Sequence, residues 1–148
     1  MNRIKQFSIL FEGGECLTAT LLTNKAPDTC EMFWDLLPFK SVIRHSRWSG
    51  REVNLPYHSN NFPKRENQTI YTSIGEVCYW RNWDIEEIEK QPQVIAFYYG
   101  AELTRSNTGS EPVNVFAQLN YNQLSLLKEI GQRIWLKGEE QVQLKKVE

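Results

Sequence analysis

The sequence predicts a mainly β fold: a closed β-barrel with two capping α-helices, one at each open end. Three observations carry that reading. Short apolar runs broken by Gly, Pro and Asn turns recur along most of the chain. Helical spacing of apolar residues occurs in two stretches, one toward each end. Large rings are plentiful, with 5 Trp, 6 Tyr and 7 Phe, and they supply much core area per residue. Closure removes exposed sheet edges, which suits a small chain.

Lys5 to Phe11 and Cys16 to Leu22 are two β-like runs joined at Gly13-Gly14, the pattern of a hairpin. Pro27 then opens a helix, where its missing N–H would be unpaired anyway. Asp28 and Glu31 put negative charge at its start, which the helix dipole favours. Cys30, Phe33, Trp34 and Leu37, widened by Met32 and Leu36, predict a nearly fully buried helix that Pro38 ends. Ser41 to Gly50 reads as a strand turning polar toward its end. From Arg51 to Gln68 the composition shifts to Asn, Ser, Pro, Lys and Arg, which predicts a long loop.

Thr69–Thr72 reads as a short strand, and Gly75–Trp80, Val94–Tyr99 and Val113–Leu119 as clearer ones. Between them, Asp84 to Gln91 is acidic and predicts a helical turn on a solvated face. Leu124, Leu127, Ile130 and Ile134 keep the spacing of the second helix, Gly131 permits close packing inside it, and Gly138 stops it. Val142 and Leu144 alternate in a closing strand.

Length and charge narrow the classes. A chain of 148 residues reads as a single domain over 1–148, large enough to bury a core without a disulfide or metal staple. Its 17 Lys+Arg against 18 Asp+Glu argue against a nucleic-acid partner. The sequence has no membrane span or signal-peptide apolar region, so a cytoplasmic protein without a membrane partner is expected. Cys16, Cys30 and Cys78 are odd in number and lack metal or redox spacing; all three are expected to be buried and reduced. No metal, cofactor or glycine-rich phosphate loop is indicated.

The segment Thr23 to Phe33, with its Pro-x-Thr followed by Glu and Phe, resembles the strand-to-helix entry of cyclophilins. Further pieces occur in the same order: Leu36-Leu37-Pro38, His45 to Gly50, Ser73 to Val77, Tyr98-Tyr99-Gly100, Phe116-Ala117, and Ile130-Gly131 before Gly138. Through these, roughly Thr18 to Val147 resembles bacterial cyclophilin-like proteins of unknown function, which implies a cyclophilin-like barrel. Prolyl-isomerising cyclophilins carry a Phe-His-Arg element followed by Phe-Met-x-Gln-Gly-Gly-Asp. The comparable strand here reads Ile43 to Gly50 with no Gln-Gly-Gly-Asp after it, so fold does not carry that activity across.

His45, Arg47, Trp48 and Ser49 form the densest chemical cluster. On a strand His45 and Arg47 would share one face, and Ser46 and Trp48 the other. A guanidinium fork suits a carboxylate or similar planar anion, and His45 could bond a ligand or shuttle a proton. The plainer reading pairs Arg47 with Glu52, Glu66 or Glu76 and packs Trp48 on the barrel. A Ser49–His45–carboxylate nucleophile lacks its elbow pattern, so catalytic residues are not identified. Tyr98, Tyr99 and Gly100, with Arg105, are a second group; alternation turns only one tyrosine toward a given cavity, and core filling is the plainer role. Gln118 could add an amide contact, while His58 lies in a polar loop.

These residues predict a protein that binds a small polar or anionic metabolite in a pocket at the barrel rim, lidded by Arg51–Gln68. An interaction module for an extended peptide or sister subunit is the alternative, a prolyl isomerase a third, and a homo-oligomer stays open.

Overall fold

The computed structural model describes residues 3–84 and 92–148. Strands β1 (Gln6–Phe11) and β2 (Cys16–Leu21) form the expected hairpin, with Gly14 at φ 92° in the turn, a conformation that favours glycine. Six more strands complete the wall: β3 (Phe39–His45), β4 (Glu52–Tyr57), β5 (Glu76–Arg81), β6 (Gln93–Tyr98), β7 (Val113–Leu119) and β8 (Glu139–Lys146). Around the barrel they run β2-β1-β8-β3-β4-β6-β5-β7, all antiparallel, and β7 pairs back onto β2 with Ala117 opposite Leu21. The closed, mainly β barrel expected from the sequence is what forms.

Period-two alternation divides this wall into two faces. Val53, Leu55 and Tyr57 of β4, Val77 and Tyr79 of β5, and Ile95 and Phe97 of β6 point into one core. The intervening Cys78, Ala96 and Tyr98 join Val113 and Val115 in a second apolar cluster on the outer side of the wall. Two helices meet the inner core. From α1 (Pro27–Leu36), Phe33 reaches between Phe7 and Phe116, with ring centroids 4.7 and 5.0 Å away. From α2 (Leu124–Lys137), Leu127, Ile130, Gly131 and Ile134 are buried. Gly138, at φ 101°, ends that helix as expected.

Four expectations need correction. The strand expected over Ser41–Gly50 stops at His45, because Ser46 folds the next residues into a turn. The loop expected over Arg51–Gln68 contains β4, a barrel strand whose inward Val53, Leu55 and Tyr57 alternate with outward Glu52, Asn54 and Pro56. Helix α1 is buried on one face only: Leu36 is exposed, and Trp34 is half-buried beneath the Lys5 and Lys146 ammonium groups. Cys16 is exposed, while Cys30 and Cys78 are buried and free.

Thr69–Thr72 contributes only two-residue bridges, Gln68–Thr69 and Tyr71–Thr72. The acidic segment 85–91 lies outside the described residues. Among the described residues no helix is long and apolar enough to cross a membrane.

Candidate functional site

A cavity of about 340 Å³ lies on the outer side of the barrel wall, a volume in the range of small-molecule pockets. Its base is the outward face of three strands: Glu52 and Asn54 of β4, Val94, Ala96 and Tyr98 of β6, and Cys78 and Trp80 of β5. Two loops cover it. One is 46–50, after β3; the other runs from Thr104 through the bridge of Arg105–Ser106 with Gly109–Ser110. The pocket is therefore on the wall rather than at the rim, and its cover is not Arg51–Gln68.

Two serines hold the cover together. Ser46 Oγ accepts the backbone N–H groups of Trp48 at 3.2 Å and Ser49 at 2.9 Å, a local turn that hydroxyls favour. Ser49 Oγ accepts the N–H of Arg105 at 2.8 Å and donates to the Arg105 carbonyl at 3.0 Å, joining the two loops. Below them Glu111 accepts from the Trp80 indole at 3.2 Å and from the Ser106 hydroxyl at 2.8 Å.

Charge in the cavity is arranged unevenly. Glu52 is 5% exposed, and its carboxylate accepts from Asn54 Nδ2 at 2.8 Å. No cation among the described residues pairs with it. Burial pushes its pKa above the ordinary carboxylate range; hydrogen bonding from Asn54, Ser46, Tyr98 and Ser49 opposes this without cancelling it. Burial also pushes the Cys78 thiol well up, so it is no thiolate nucleophile near neutrality. At the mouth, Arg44 is paired with Glu139 at 3.0 Å. Arg47 and Arg105 form no ion pair among the described residues.

Residues 9–146 match a family described as proteins of unknown function, DUF3830. The chain belongs to the DUF3830 family. No curated protein sequence matches it. Three solved structures are similar to this DUF3830 protein in fold. McbB, solved in complex with tryptophan, superposes with a TM-score of 0.72 at 19% identity, over 94% of this chain and 44% of McbB. The DUF3830 chain thus spans less than half of the McbB chain. The hypothetical protein AF2241 from Archaeoglobus fulgidus gives 0.60 at 19% identity, covering 97% of this chain and 95% of its own. The Mimivirus cyclophilin gives 0.56 at 12% identity, covering 97% and 88%. Likeness at such identities shows the fold, a cyclophilin-like barrel.

Within the DUF3830 barrel, His45, Arg47, Trp48, Ser49 and Arg105 are brought together around the cavity. Tyr99 and Gln118 are not among its lining residues. Tyr99 points into the barrel core, its ring against Gly131 of α2, while Tyr98 takes the cavity face. Gln118 donates to the Leu119 carbonyl at 3.1 Å and lies against Gly75, which makes it a brace.

The plainer partners for Arg47 fail too. Glu66 caps α1 by accepting the Thr29 N–H at 2.8 Å, Glu76 accepts the Ser73 N–H at 2.6 Å, and Glu52 has no cation among the described residues. From the sequence, Glu52 stands out only as an ion-pair partner for Arg47, and Asn54 and Trp80 are not placed at a cavity. The signal was present in the alternation of Glu52-Val53-Asn54-Leu55-Pro56-Tyr57, hidden by polar residues that face a cavity rather than solvent.

Proposed function

We propose that the cavity binds a small anionic metabolite, its negative group held by Arg47 and Arg105 and its body flanked by Trp48 and Trp80. The observation that carries this is the pair of arginines on the covering loops, neither of which is in a close ion pair among the described residues. A guanidinium offers a planar fork of donors that fits carboxylate or phosphate oxygens. The base supplies an apolar surface from Val94, Ala96 and Val113 for the rest of the molecule. A neighbour of the same fold, McbB, was solved with tryptophan, which supports a small molecule as the kind of ligand.

A second reading, an extended peptide held by aromatic anchors, is favoured by Trp48, which is 56% exposed at the cavity edge. One screen separates the two. Thermal unfolding is followed with small carboxylates, amides, cyclic ureas and proline peptides, on the wild type and on Arg47→Ala. A ligand at about 100 times its Kd adds roughly 2.7 kcal/mol, or a rise of roughly 5–10 °C for a domain of this size. A rise with carboxylates that is lost in Arg47→Ala supports the metabolite reading. A rise with peptides alone, unchanged in the variant, favours the second reading.

A further inference from the structure

The cavity has two chemically opposite ends. Its covering loops carry the guanidinium groups of Arg47 and Arg105, which donate to an anion. Its strand wall offers acceptors. Glu52 presents a buried carboxyl that Asn54 Nδ2 meets at 2.8 Å and that Ser46, Tyr98 and Ser49 also approach, with no cation beside it among the described residues. Asn54 spends its amide nitrogen on that bond, which leaves its Oδ1 as a second acceptor on the same wall. The other acid of the cavity, Glu111, is already engaged by Trp80, Ser106 and Thr108 and does not compete.

A buried carboxyl without a cation is costly to keep. It is held here by strand β4, beside the unpaired arginines and yet bonded to neither. A plain carboxylate ligand would answer the arginines and leave Glu52 without a counter-charge and Asn54 Oδ1 without a donor. A ligand with a cationic nitrogen opposite its anion answers both ends.

We infer that the ligand is a zwitterion of the amino-acid class, its carboxylate on Arg47 and Arg105 and its ammonium between Glu52 and Asn54. The inference rests on the reading of the cavity as an anion-binding site and specifies its occupant. The apolar patch of Val94, Ala96 and Val113, edged by Trp80, selects an apolar or aromatic side chain.

Calorimetric titration of the full chain tests this. The standard L-amino acids are screened first. The tightest is then compared with its deamino carboxylate and its decarboxylated amine. The amino acid should bind at least about tenfold tighter than its deamino carboxylate, as expected for a charge-assisted hydrogen bond. Glu52→Gln, or Asn54→Ala should the first variant fold poorly, should collapse that ratio by weakening the amino acid far more than its deamino carboxylate. Arg47→Ala should weaken both. Equal or tighter binding of the deamino carboxylate, still dependent on Arg47, overturns the zwitterion and leaves the anion site standing. No binding by any amino acid, carboxylate or amine overturns both.

Discussion

His45 Nε2 lies 2.6 Å from the Tyr99 hydroxyl, and Nδ1 of the same ring lies 2.9 Å from the Ser46 carbonyl. A carbonyl only accepts, so Nδ1 carries a proton, and in the neutral ring Nε2 accepts from Tyr99. Both nitrogens are thereby engaged, and the ring rests edge-on against Trp135, with centroids 4.8 Å apart. His45 borders the cavity as a strut: it ties the barrel core to the first residue of the covering turn. That geometry leaves the ring no lone pair to offer a ligand.

Tyr99→Phe removes the hydroxyl and keeps the ring. A net loss of about 0.5–1.5 kcal/mol is expected, the usual worth of one hydrogen bond. Urea unfolding of the variant checks it, and an unchanged midpoint would count against the strut.

Gly131 allows α2 to sit on the Tyr99 ring. A Cβ there would fall 2.4 Å from Tyr99 Cδ1, far inside van der Waals contact. Ala is the better helix former by about 1 kcal/mol, but overpacking a filled core costs about 1–3 kcal/mol. The clash should win, and Gly131→Ala should lower Tm. A rise in Tm would show that the contact relaxes freely.

Glu52 carries a pH signature. In the folded chain it keeps its proton above the ordinary value of 4.5 because it is buried. The folded state therefore binds more protons than the unfolded one above that pH, and this group's contribution to stability declines as pH rises. Glu52→Gln has no such titration. Its stability relative to wild type should be constant below about pH 4 and should improve as pH rises above the ordinary carboxylate range. Chemical unfolding of both proteins across pH 4 to about 8 reads the difference directly; a difference that stays flat would mean Glu52 is not titrating as a buried acid.

Ser49 is the clasp between the two covering loops. Ser49→Ala deletes both bonds to the Arg105 backbone, one in each direction. Because Arg105 is exposed, global stability should change little. Hydrogen exchange at the Arg105 amide should instead speed up by about tenfold, as local opening loses roughly 1.4 kcal/mol of protection. Unaltered exchange there would place the clasp elsewhere.

The helices and the hairpin were legible because their signals are local: Pro27 at a helix start, Gly138 at a helix end, a Gly-Gly turn after Phe11. Strand β4 was not, since Glu52, Asn54 and Pro56 give it the composition of a loop although Val53, Leu55 and Tyr57 fill the core. Two of these positions, Glu52 and Asn54, conceal the site, because they line the cavity. Arg47, Trp48 and Arg105 could be picked out as chemical types, but their meeting depends on Ser46 breaking β3 and on Ser49 reaching Arg105, contacts 56 residues apart in the latter case. Tyr98 and Tyr99 were separable by parity, yet which of them faces the cavity depends on a barrel closing behind them.

Tryptophan indoles offer the most direct test of a ligand site in this cavity. The chain has 5 Trp, and only Trp48 and Trp80 line it. In a nitrogen–proton correlation spectrum titrated with the tightest ligand of the screen, the Trp48 and Trp80 indole signals should move together, with Trp34 unmoved on the far helix. A titration that shifts Trp34 or Trp135 while leaving Trp48 and Trp80 in place would contradict the account.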